Sequence, residues 1–300
     1  MHDFIELYRK ELSCVACFKD NTVSVYVTSI YRYFAFAADV LQIDPLHPKA
    51  GDLTRWIMHL KKSGTGLSRL HNYQVAMKSF FAFLEKMGII QNNPCENLFY
   101  LRKEKSTLNQ PISINAAFRL LDSFDRSGWM GLRDYTLVSM LWAMGLRLNE
   151  CLTLKVGDFD PDYERPKKQG ILRVHGKGRK NRTLFVVDKL YENLNRYLDH
   201  PDTPKRKSDF MFTTKVRTGK HVSQDRVRRM IKQAAREAGL TERVTPHVLR
   251  HTFATHMYER GVPADAISRM MGHNSIEETC LYIHVSEDMK KKALEKIHIP

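Results

Sequence analysis

Apolar side chains in the first hundred residues recur at helical spacing. Asn21-Thr22 reads as a helix start, and V-S-V-Y-V-T-S-I-Y-R-Y-F-A-F after it keeps that period despite its β-branched residues. Asp52 is placed to cap D-L-T-R-W-I-M-H-L-K-K, which S-G-T-G stops. L-S-R-L-H-N-Y-Q-V-A-M-K-S-F-F-A-F-L-E-K-M follows, and Gly88 sits where a C-terminal cap belongs. The pattern predicts about four helices in a small bundle, with Tyr31, Tyr33, Phe34 and Phe36 in its core.

The period is then lost. L-R-K-E-K-S-T-L-N-Q-P is polar, basic and closed by proline, the composition of a linker between domains. The expected division is a helical domain over 1–102, a linker over 103–109 and a second domain over 110–300. The second domain opens with helices over 112–124 and 132–142, the latter apolar enough to be buried. G-I-L-R-V-H and R-T-L-F-V-V then alternate around G-K-G-R-K-N, which predicts a β-hairpin. Helices return after it. The fold class is mainly α with a small β-sheet: an N-terminal helical bundle joined to a C-terminal α+β domain.

Charge narrows the partners. The 300 residues carry 48 Lys and Arg against 33 Asp and Glu, a net charge of +15. Residues 1–102 hold 12 basic and 9 acidic residues, and 103–300 hold 36 and 24. An excess of this size points to a polyanion, with nucleic acid ahead of a membrane surface. No run reaches the length of a membrane span, and M-H-D-F-I-E-L-Y-R-K has no basic segment followed by an apolar one, so a cytoplasmic protein is expected. Five scattered cysteines argue against a disulfide framework. Cys14-x-x-Cys17 lacks a second ligand pair and reads as helix packing.

T-P-H-V-L-R-H-T-F-A-T-H at 245–256 holds three histidines and an arginine. Thr245 is a favoured N-cap and Pro246 a favoured first helical residue, so His247 falls in a first turn and Arg250 one turn on. A helix start and a guanidinium fork both suit phosphate oxygens. His247 and His251 also have the i, i+4 spacing of zinc ligands, but the residues between them are Val, Leu and Arg rather than a carboxylate base. Phosphate, structural histidines and a metal are all open at this point. In A-M-G-L-R-L-N-E at 143–150, Arg147 follows a buried helix and a glycine. Glu150 either holds it or forms a plain helix salt bridge with it.

Four segments in this order, A-M-G-L-R-L-N-E, H-G-K-G-R-K, P-H-V-L-R-H-T-F-A-T-H and M-M-G-H-N-S-I-E-E-T-C-L-Y-I-H-V, closely resemble the tyrosine recombinase (phage integrase) family, its Xer-like members most of all. The likeness covers nearly the whole chain, although the N-terminal helices match only in kind. It implies a core-binding domain and a catalytic domain that cut and rejoin double-stranded DNA through a 3′-phosphotyrosine, without metal, cofactor or ATP. Arg147 and Arg250 match the arginines that grip the scissile phosphate, and His247 and His273 the histidines beside them. Lys177 matches the lysine that protonates the leaving 5′ oxygen, with Lys180 as its competitor. Tyr282 matches the nucleophile, and Glu150 and His251 are supporting residues. Cys151, Met271 and the E-T-C-L before Tyr282 depart from the usual residues without removing a catalytic group. The resemblance also implies four copies on two DNA sites, or a partner recombinase, with a tail helix that docks in cis or on a neighbour. The competing readings are a non-catalytic regulator, since Y-E-R-G-V-P-A-D-A-I-S-R-M-M-G-H has helix-turn-helix character, and a metal-dependent nuclease.

Overall fold

The computed structural model describes residues 2–18, 20–96, 98, 110–164, 169–176, 181–214 and 219–273. The chain divides into two compact units, Met1–Ser106 and Thr107–Pro300. The expected linker at 103–109 and the tail helix lie outside the described residues.

The first unit is helical: α1 (His2–Lys10), α2 (Asp20–Phe36), α3 (Ala50–Lys62) and α4 (Leu67–Lys86), with α1 and α2 each running into a short π-helical turn. Its core is aromatic. Tyr8, Tyr33, Trp56, Phe80 and Phe81 are almost fully buried and meet mostly edge to face. Phe34 and Phe36 join them, but Tyr31 faces outward at 39% exposure and its hydroxyl reaches His2 instead. Asp52 caps α3 from inside rather than from the N-cap. It is the third helical residue, and its carboxylate accepts the N–H of Lys49 at 3.0 Å. Gly88, at φ +69°, closes α4, and the next N–H, of Ile89, returns to Leu84 O at 3.0 Å. Cys14 and Cys17 are exposed, not packed: they lie in and just after the turn that ends the first helix.

The second unit holds α5 (Ile114–Asp122), α6 (Trp129–Ala143), α7 (Leu148–Thr153), the strands β1 (Phe159–Glu164), β2 (Gln169–His175) and β3 (Asn181–Val186), and α8 (Asp188–Asp199), α9 (Gln224–Glu237), α10 (Pro246–Glu259) and α11 (Ala264–Met271). Helix α6 is buried along most of its length, as its apolar composition requires. The hairpin forms between β2 and β3, paired from Gly170↔Val186 to His175↔Asn181. A third strand, β1, adds itself antiparallel to β2, giving the order β1-β2-β3. Pro161 lies inside β1. A proline is tolerated there because the strand is at the sheet edge, and the pairing slips between Asp160 and Glu164 around it. Leu172, Val174, Leu184 and Val186 point into the core that α6, α8 and α9 also line.

Candidate active site

Three chain segments of the second unit meet around a cluster of arginines that shares one carboxylate. Helix α6 ends at Ala143, and Gly145 turns the chain at φ +60°. A Cβ there would lie 2.4 Å from the ring of Phe253, so the turn needs glycine for both its dihedral and its space. Arg147 becomes the N-cap of α7, and Glu150 folds back so that its Oε2 accepts the Arg147 N–H at 2.9 Å. The same carboxylate accepts Arg147 Nη1 at 3.0 Å through Oε1. Glu150 is 6% exposed. Burial alone would raise its pKa, but hydrogen bonds from Arg182 and Arg147 outweigh that and hold the carboxyl below its usual range.

Helix α10 delivers the second arginine. Thr245 Oγ1 accepts the Val248 N–H at 3.2 Å and Pro246 fills the first position, so the helix starts where its sequence says it should. Arg250, 3% exposed, donates to Gly145 O at 2.6 Å and to Met271 O at 3.0 Å, with Glu150 Oε2 4.0 Å away. His247, in the first turn, is exposed to solvent, yet partial desolvation, with the cations of Arg250, Arg228 and Arg147, pushes its pKa down. His251, the other member of the zinc-like pair, is 2% exposed. Among the described residues no three His, Cys, Asp or Glu side chains gather as a metal site.

The third segment is the end of α11. Gly272 caps it at φ +66°, which turns the chain into His273. The last carbonyls of this helix face the arginines. Met270 O accepts Arg182 Nε at 2.7 Å, Met271 O accepts Arg250, and Gly272 O accepts Arg147 Nη1 at 2.9 Å. A helix C-terminus carries partial negative charge, so it is a natural seat for guanidinium groups. His273 is partly buried next to this cluster. Desolvation first, then the charges of Arg250, Arg147 and Arg182, push its pKa down to about 4 against a weaker opposing pull from Glu150. It is therefore neutral at pH 7. The helix-turn-helix pattern does form as α10, a turn at Gly261 and α11, but α11 spends its C-terminal end inside this cluster.

Arg147, Glu150, His247, Arg250 and His273 are thus brought together, with His251 on the buried side of α10. Lys177 and Tyr282 lie outside the described residues. Arg182, from β3, is a further member of the cluster that the sequence motifs do not single out. Its Nη2 sits 2.9 Å from Glu150 Oε2 and its Nη1 3.3 Å from Oε1. The signal was present: in N-R-T-L-F-V, Arg182 has the same parity as the inward-facing Leu184 and Val186.

Known proteins share the sequence family and the fold of this chain. Residues 114–289 match the phage integrase family model. Tyrosine recombinase XerD of Listeria monocytogenes serotype 4b (strain F2365) is 28% identical over 304 residues, which cover 99% of each chain. Tyrosine recombinase XerC of Chlamydia muridarum (strain MoPn / Nigg) is 34% identical over 223 residues, 74% of this chain and 69% of its own. Among solved structures, XerH site-specific recombinase bound to difH substrate has the same fold at a TM-score of 0.70 and 20% identity, covering 91% of this chain and 79% of the other. A lambda integrase (75–356) dimer bound to a COC′ core site gives 0.71 at 15% identity, covering 93% and 96%. The chain belongs to the phage integrase family.

Proposed function

We propose that this protein is a site-specific recombinase that cuts and rejoins double-stranded DNA by transesterification. The observation that carries the reading is the pairing of Arg147 and Arg250, from two different elements, around one buried carboxylate and beside the neutral histidines His247 and His273. A phosphodiester repels nucleophiles, and its transition state gathers charge on the non-bridging oxygens. Two guanidiniums fixed in a half-buried site oppose that charge without having to reorganise. Tyr282 is the nucleophile: its phenolic oxygen bonds to phosphorus as the bond from phosphorus to the 5′ oxygen breaks. The phenol proton passes to a neutral histidine, His247 or His273. Lys177 gives a proton to the leaving 5′ oxygen. A phosphotyrosine keeps the ester count unchanged, so a 5′-hydroxyl from a partner strand reseals the DNA without ATP.

In this reading the first unit grips DNA, with Lys61, Lys62 and Arg69 as candidate phosphate contacts, and Arg226, Arg228 and Arg229 on α9 do the same in the second. The XerH and lambda integrase structures are complexes with DNA. We extend that to self-assembly of this chain on paired sites, or assembly with a partner recombinase. No helix of the described residues is long and apolar enough to cross a membrane, and in this reading the protein works where its DNA is, which for a bacterial-type recombinase is the cytoplasm. The test is a nicked duplex carrying the binding site recovered by selection from random DNA, run on a denaturing gel. The expected result is a covalent protein–DNA band that persists in EDTA and disappears in Tyr282→Phe. A band that survives the substitution removes Tyr282 as nucleophile, and one lost in EDTA replaces the mechanism by a metal-dependent one.

A further inference from the structure

Arg182 is committed to the protein through every nitrogen of its guanidinium. Nε donates to Met270 O at 2.7 Å, Nη2 to Glu150 Oε2 at 2.9 Å and Nη1 to Glu150 Oε1 at 3.3 Å. Its side chain is 11% exposed. From this we propose that Arg182 is a positioning residue for strand cleavage: it fastens β3, the strand that leaves the Lys177 hairpin, to Glu150 and to the end of α11 that carries His273. The inference rests on the recombinase reading given above.

Three observations support it. Arg182 is paired with Val174, next to the His175↔Asn181 pair that is the last registered pair before the hairpin tip. Fixing Arg182 therefore fixes the strand on which the hairpin stands. Glu150 shares both its oxygens between Arg182 and Arg147, so any shift of Arg182 moves the carboxylate that orients Arg147. Gly272 passes so close that a Cβ would lie 2.8 Å from Arg182 Nη1. The turn into His273 is thus shaped against this guanidinium as well as by its own φ of +66°. A planar fork is needed for these contacts. The single ammonium of a lysine keeps the charge but cannot reach Met270 O and both carboxylate oxygens together.

A purely structural ion pair would cost stability and nothing else. A positioning role predicts two further changes, read on the full chain in Arg182→Gln and Arg182→Lys. In R182Q, cleavage of the nicked duplex should fall by about 10²-fold, the usual effect of displacing catalytic groups by an ångström, while binding to the same duplex is retained. R182K should recover part of the cleavage rate. In the DNA-free protein, the His273 titration followed by NMR should move up from about 4 in R182Q and stay low in R182K, which keeps the cation. Cleavage by R182Q at the wild-type rate would overturn the inference, as would an unchanged His273 midpoint. If R182Q does not fold, a folded R182K that cleaves as fast as wild type overturns it alone. Wild-type protein that gives no covalent band undoes the recombinase reading itself, and the His273 titration then still decides whether Arg182 sets that residue's surroundings.

Discussion

Replacing Glu150 by Gln removes one negative charge from the point where three guanidiniums converge, at 3.0 Å for Arg147, 2.9 Å for Arg182 and 4.0 Å for Arg250. The side chain keeps its size, so no cavity opens. One acceptor oxygen becomes an NH2 donor that faces either a guanidinium or the Arg147 N–H, and the cations lose their counter-charge in a site that is 6% exposed. Breaking a buried pair from one side costs about 3–5 kcal/mol. For a unit the size of Thr107–Pro300 that corresponds to a fall in Tm of roughly 6–20 °C. The assay is thermal unfolding of the full chain at low salt, with the second unit followed through Trp129 and Trp142 fluorescence. Inorganic phosphate should restore part of the lost Tm in E150Q, since it supplies the missing charge to the folded state alone, and should do less for the wild type. A fall of under about 2 °C, set against the same scaling, would refute the assignment of Glu150 as the counter-ion of the cluster.

Other expectations follow from the same geometry. Gly145→Ala should lower stability by about 1–3 kcal/mol or more, because the added Cβ meets Phe253 at 2.4 Å and φ is +60°; unfolding in urea checks it, and a neutral result would mean that Phe253 moves aside freely. Arg250→Lys should slow strand cleavage by at least about 10²-fold while the protein stays folded, since one ammonium cannot hold Gly145 O and Met271 O together. Stability should fall in acid in two stages. His273 is held at about 4 in the folded chain, so between its ordinary 6.5 and about 4 only the unfolded chain takes up that proton, and stability falls as pH drops through this window. Glu150, held low by its arginines, adds a further loss as pH falls below its ordinary 4.5. Urea midpoints from pH 7 to pH 3 test this, and His273→Gln should reduce the first stage without removing it, since His247 and His256 are also held low, and leave the second stage in place.

The helices and the hairpin were legible because their signals are local. Period, cap residues and turn glycines act over a few residues, and Thr245-Pro246 sets the start of α10 by its own chemistry. Strand β1 was not legible. F-D-P-D-Y-E has neither alternation nor strand composition, and it is a strand because β2 offers it an open edge. Tyr31 shares the aromatic run of Tyr33 and Phe34, yet the helical turn carries it to the solvent side. Within the site, the Arg147–Glu150 pair was visible because its members are three residues apart, but the contacts that bring Arg250 and the end of α11 to that pair run over long sequence distances. Arg182 shows the difference. Strand parity already pointed it inward, but nothing in its own neighbourhood says that a glutamate thirty-two residues earlier is waiting there.

The arginines hold α11 by main-chain oxygens at 270, 271 and 272 rather than by side chains. Such anchors do not care which residue supplies them. The side chains of Met270 and Met271 answer only to packing, and one apolar residue can replace another there while the grip on the helix end is kept. The requirement falls on the path of the chain, and it surfaces in the sequence at one residue only, the glycine that lets the helix end beside Arg182. Variation across this segment should therefore be broad at the two methionine positions and narrow at Gly272.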